Sequence, residues 1–175
     1  MKNIIIKYGL ISGVIVTLFM VTATVLWYND PSIKIGEVIG YSGMLIAFIF
    51  VFIGIKNYRD KQNHGVISFG EAFKIGLFIS LIASCFYVGT WLIEYYVFMP
   101  DFMDKFIDLA VENAKAKGLS TAEIAAKTEE MMSYKEWYKN PILVILLSFM
   151  EVLPVGLLVT LISSLILKRK KAIEL

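Results

Sequence analysis

The chain has 175 residues, 58% of them hydrophobic and 18% charged, against roughly half apolar and about a quarter charged in soluble domains. That excess of apolar surface calls for a solvent other than water, and the length suits one domain. One histidine and one cysteine argue against a zinc site, whose ligand sets mix several of both, and a lone cysteine forms no disulfide within the chain.

Four segments reach the roughly 20 apolar residues that a hydrocarbon core requires. The first is Tyr8–Tyr28. Lys2 and Lys7 precede it as they would a signal peptide, but its apolar run exceeds a signal core of about 7–15 residues and no A-x-A site follows. It is read as a retained membrane helix. The others are Gly36–Ile55, Phe73–Phe98 and Ile142–Leu167, with connections Asn29–Ile35, Lys56–Ala72 and Met99–Pro141 between them.

Small or hydroxyl residues recur at helical spacing in these segments. Gly9, Gly13, Thr17 and Thr24 mark the first, Gly36, Gly40, Gly43, Ala47 and Gly54 the second, and Gly76, Ser80 and Ser84 the third. Such stripes let backbones approach closely in lipid. Packing within one bundle is the leading reading for Gly9-x-x-x-Gly13, and a dimer motif is the alternative.

Ser68-x-x-Glu71 has the form of a capping box at the start of the third span. The long third connection reads as two helices. Pro100–Lys117 is stopped by Gly118, and Ser120-x-x-Glu123 opens the next with a second box, so a helical hairpin is expected over about 100–137. Met103, Phe106, Ile107, Ala110 and Ala114 should form its buried face, while Asp101, Asp104, Asp108 and Glu112 form a solvated stripe. Pro141 then starts the fourth span.

Orientation follows the basic residues flanking the spans. Lys2, Lys7, Lys56, Arg59, Lys61, Lys74 and the run Lys168–Lys171 share one side. The other has Lys34 and lysines dispersed through a net-acidic loop. Both termini are therefore expected in the cytoplasm, with the hairpin outside. Trp27, Tyr28, Trp91, Tyr95, Tyr96, Trp137 and Tyr138 fall at the outer boundary, where amphipathic rings favour the headgroup level.

The chain resembles the small four-helix bacterial membrane proteins known as domain-of-unknown-function family 4199. The resemblance rests on Tyr8-Gly9-Leu10-Ile11-Ser12-Gly13, Gly54-Ile55-Lys56-Asn57-Tyr58-Arg59-Asp60, the stretch Ile67-Ser68-Phe69-Gly70-Glu71-Ala72-Phe73-Lys74-Ile75-Gly76, and Pro154-Val155-Gly156 with Leu167-Lys168-Arg169-Lys170. It implies a multi-pass protein of the bacterial inner membrane, and it implies no activity and no site residues.

The expected fold is an all-α, up-down bundle of four transmembrane helices with the hairpin between the third and fourth. No phosphate loop, Gly-x-Ser-x-Gly, Cys-x-x-Cys or His-Glu-x-x-His is present. No cofactor, metal or nucleic acid is expected. The basic run Lys168–Lys171 reads as a topology anchor drawn to anionic headgroups.

Chemistry, if any, belongs to the intramembrane carboxylates, which are costly in lipid. Glu94 lies on the face of Gly76, Ser80, Ser84, Tyr87 and Trp91 and should point into the bundle. Glu151, about 14 Å from the outer end at about 1.5 Å per residue, lies three positions before Pro154, which removes a backbone donor. Pro154 and Gly156 are candidate hinge residues. Glu151 faces away from Gly156, Thr160 and Ser163, so either both faces of the helix are covered by protein or Pro154 twists one into line with the other.

Two functions compete. The first is a non-enzymatic scaffold or accessory subunit presenting the outer hairpin, with the bilayer and a second copy or another membrane protein as partners. The second is a small proton- or cation-coupled transporter using Glu94 and Glu151.

Overall fold

In a computed structural model that describes residues 1–31 and 35–169, with the backbone alone at 35–37, the described residues form helices and no strand longer than a single bridge. The helices are α1 (Lys2–Asn29), α2 (Ile35–Gln62), α3 (Phe69–Ile93), α4 (Phe102–Ala116), α5 (Thr121–Trp137) and α6 (Pro141–Leu167). A five-residue π-helical turn, Glu94–Phe98, prolongs α3. Four segments, Lys2–Asn29, Val38–Gln62, Phe69–Phe98 and Pro141–Leu167, are long and apolar enough to cross a membrane. Each contains the span expected from sequence at its described residues. α1 begins earlier, at Lys2, and α2 extends further at the basic end, because nothing there breaks it until Asn63 and the left-handed residues His64 and Gly65.

α3 is the centre of the packing, lying against α1, α2 and α6, while α2 also touches α1 and α6. Glycines set the close approaches. A Cβ on Gly9 would lie 2.8 Å from Ile82, and one on Gly13 would lie 2.6 Å from Phe86. Thr17 and Thr90 share a hydrogen bond of 3.2 Å at the same offset of 73 positions, which makes α1 and α3 parallel neighbours. The α3–α6 contacts run the other way. Gly76 meets Thr160, Ser80 donates to the Gly156 carbonyl, and Tyr87 reaches Glu151. Antiparallel pairing likewise joins α1 to α2, where Ser12 donates to the Ala47 carbonyl and Gly54 abuts Tyr8. The Gly9 and Gly13 stripe is thus filled within the chain, as its packing reading expected, and it is closed to a second copy.

The two ends of this assembly differ in chemistry. At one, the Met1 amino group donates to Gln62, Arg59 donates to the Leu167 carbonyl, and Ile67 pairs with Arg169 through two backbone hydrogen bonds. The chain start, the α2–α3 loop and the end of α6 therefore gather with the basic residues. Lys34, Lys170 and Lys171 lie outside the described residues. At the opposite end, Phe102 packs against Trp27 at 4.8 Å and Trp91 at 5.0 Å, while Tyr95 stacks edge-on with Tyr138 at 5.1 Å. There the Tyr28 hydroxyl donates to Asp101, and the Tyr96 hydroxyl donates to the Tyr138 carbonyl.

α4 and α5 pack on each other at this aromatic end, with Lys135 paired to Asp104 across them. Gly118 turns the chain between them at φ 73°, a left-handed conformation that suits glycine after a helix. Met103, Ile107 and Ala114 are buried as expected. Phe106 is not: it is 40% exposed, drawn aside by stacking on Phe102 and by Trp27. Both capping boxes are formed, Ser68 with Glu71 and Ser120 with Glu123.

Candidate functional site

The two carboxyls within the long apolar helices occupy different seams. Glu94 closes the α1–α3 seam, one turn beyond the Thr17–Thr90 contact. It is only 6% exposed. The Thr24 hydroxyl donates to its Oε1 at 2.8 Å, while Oε2 is buried with no hydrogen-bond partner among the described residues. The Thr24 oxygen also lies 2.9 Å from the Met20 carbonyl, so its single hydrogen has competing acceptors. The π-turn begins at Glu94, whose carbonyl accepts from the Met99 N–H at 2.8 Å. Such turns insert an extra residue into the helical ladder, here where α3 leaves the apolar core for the aromatic end.

Glu151 lies on the α3–α6 seam. Tyr87, buried on α3, donates to its Oε2 at 3.1 Å. Residue Glu151 nevertheless stays exposed, against the first of the two expected arrangements, in which protein covers both faces of α6. The reason is geometric. Val144, Ser148, Val152, Gly156, Thr160 and Ser164 are buried at a spacing of four, and four residues turn a helix about 40° past a full revolution. The covered face therefore winds around α6, leaving Glu151 at its trailing edge.

Pro154 sits within α6, exposed, and the helix continues through it. Gly156 is buried where a Cβ would lie 2.9 Å from both Phe48 and Ser80. Close approach therefore already accounts for a glycine at this position. Glu94 and Glu151 are not brought together: the first bonds to α1, and the second bonds to α3 from α6.

Two partners were not read from sequence as such. Thr24 and Tyr87 each stood on a named stripe, and each donates to a carboxyl. The signal was available in the recurrence of Thr17 and Thr24 seven positions apart on α1, which places both on one face. Among the described residues no group of three or more His, Cys, Asp or Glu is placed to hold a metal ion.

All-helical architecture and four helices of membrane-crossing length define the class of protein: a chain whose apolar helices point to a membrane. Within that class it belongs to the family described as "Protein of unknown function (DUF4199)", whose model matches residues 7–169. No curated protein and no solved structure matches the chain.

Proposed function

We propose that this protein is a non-enzymatic scaffold or accessory subunit of the bacterial cytoplasmic membrane, with both termini inside and α4–α5 presented outside. One observation carries the reading: α5, 17 residues long, has no buried side chain. A helix of that length is marginal alone. Here a capping box, contact with α4 and the Lys135–Asp104 pair hold it in place. Its Met132 and Trp137 remain exposed. The orientation is supported by Lys2, Lys56, Arg59, Lys61, Lys168 and Arg169 flanking the spans at the end where Met1, Gln62 and Ile67 meet.

The test uses the intact chain in a Cys85→Ser background. A cysteine at Lys117 should react with an impermeant thiol reagent in whole cells, and one at Asn63 should not. Met132→Glu with Trp137→Ala should then release any protein that co-purifies with the parent, without lowering its melting temperature. Equal labelling at both positions, or an unchanged set of co-purifying proteins, would overturn the reading.

The unpaired Oε2 of Glu94 favours a second reading, a small proton- or cation-coupled transporter. Proton uptake by liposomes containing the parent, lost in Glu94→Gln, would support it over the scaffold. The separate seams of the two carboxyls weigh against a shared path within one chain.

A further inference from the structure

We propose that Glu151 marks the face on which two copies of this chain pair inside the membrane. α6 starts at Pro141, so Glu151 lies about 15 Å along it at about 1.5 Å per residue, near the middle of a core of about 30 Å. Its side chain is exposed there, and among the described residues it receives one hydrogen bond, from Tyr87 to Oε2. Beside it Met150 is 74% exposed. Pro154, exposed on the same stretch, brings no N–H to the Met150 carbonyl. An exposed acidic residue and a neighbour whose backbone carbonyl Pro154 leaves without its helical donor thus lie side by side at a depth without water, where polar groups require protein partners. α6 is also the least covered of the four long helices, with 22% of its apolar window buried against 33%, 39% and 50% for the others.

The chemistry selects a second copy as the occupant. Membrane insertion orients every copy alike, so a two-fold axis along the membrane normal brings equal depths face to face. Glu151 then meets Glu151. A carboxylic acid donates through its O–H and accepts through its C=O, so two protonated copies complement each other, each donating to the other. No cation is needed, and the chain supplies none at this depth. No Lys, Arg or His lies within residues 8–29, 38–55, 75–98 or 142–167. The alternative contact, Gly9 and Gly13, is already filled by Ile82 and Phe86. The pairing does not rest on the role given to α4–α5, and it stands if that role fails.

Two measurements on the full chain in lipid vesicles test it. In a Cys85→Ser background, Met150→Cys should form a covalent dimer on mild oxidation. Leu18→Cys, on an outward face of α1 and 61% exposed, should form none. Energy transfer between labelled copies, followed as lipid is added, should show self-association at least about ten-fold weaker for Glu151→Leu. Glu151→Gln should pair like the parent, because an amide also donates and accepts. Melting curves separate a lost interface from a lost fold. If Glu151→Leu does not fold, the Met150→Cys result decides, since it leaves the carboxyl in place. A parent that is monomeric at every dilution, a Glu151→Leu protein that pairs as tightly, or equal cross-linking from Leu18→Cys would overturn the proposal. So would capture of a different protein at Met150 in place of a second copy.

Discussion

α3 and α5 begin with the same device and end in opposite environments. Each opens on a serine whose hydroxyl accepts from the backbone N–H three residues on, with a glutamate reaching back to the serine. After that start α3 buries ten residues and α5 buries none. A cap therefore determines where a helix begins, satisfying N–H groups that its own ladder leaves free. It carries no information about what the helix will lie against. That is decided by the residues downstream: an apolar run with glycine and serine on one face for α3, and a polar helix with scattered alanines for α5.

The comparison is broken most forcefully by adding volume. A methyl on Gly43 would overlap the Cβ of Phe19, an atom fixed to the α1 backbone that no side-chain rotation can move away. Gly43→Ala should therefore destabilise the protein by about 1–3 kcal/mol through overpacking, read as a lower melting temperature in detergent. On α5 the larger change Ala125→Leu, at an exposed position, should stay within about 0.5 kcal/mol. Equal losses at the two sites would mean that α5 is packed as tightly as the long helices.

The same contrast explains what was legible beforehand. Spans, caps and the stop at Gly118 each depend on residues near one another in sequence, and all lie where periodicity and turn chemistry place them. Neighbours are set by three-dimensional register instead. Gly9 facing Ile82, Ser80 facing Gly156 and Thr24 facing Glu94 join residues about 70 or more positions apart, and one helix face offers no clue to its partner. The buried face of α6 also drifts around its axis, so a fixed helical wheel misjudged the cover over Glu151. Phe106 fell on the expected apolar stripe of α4, yet aromatic stacking outside that stripe claimed it.

A smaller effect sharpens the contrast within α3 itself. The Ser80 hydroxyl lies 3.2 Å from the Gly156 carbonyl and 3.1 Å from the Thr160 hydroxyl. One turn further on, the Ser84 hydroxyl is buried with no partner among the described residues. Ser80→Ala should cost about 1 kcal/mol, and Ser84→Ala should be neutral or mildly stabilising, because it removes an unmet donor. Ser133→Ala on exposed α5, where the hydroxyl donates only to the Glu129 carbonyl, should change little. Thermal melting of the three variants orders them. A Ser84→Ala loss as large as that of Ser80→Ala would mean that Ser84 has a partner of its own.

The smallest effect concerns the shared device, and pH reveals it. The Ser120 hydroxyl donates to Glu123 Oε2 at 2.6 Å and the Ser120 N–H donates to it at 2.8 Å. These bonds hold the Glu123 carboxyl below its ordinary value, the hydroxyl contributing most. A lowered folded-state value means that the stabilisation is complete above the ordinary glutamate range of about 4.3. It is lost as pH falls through the lowered value and the carboxylate takes up a proton. Because α5 buries no side chain, the loss should appear locally, as faster amide exchange at Ala122, Glu123 and Ile124. Intrinsic exchange also changes with pH, so the quantity to follow is the ratio of parent to Glu123→Gln. The amide of glutamine can still accept from Ser120 but does not titrate in this range. That ratio should favour protection in the parent at neutral pH and approach unity in acid, while amides of buried α3 residues such as Ile79 and Ala83 show no such convergence. A ratio that stays constant from neutral pH to below about 3 would show that the cap does not hold the first turn of α5.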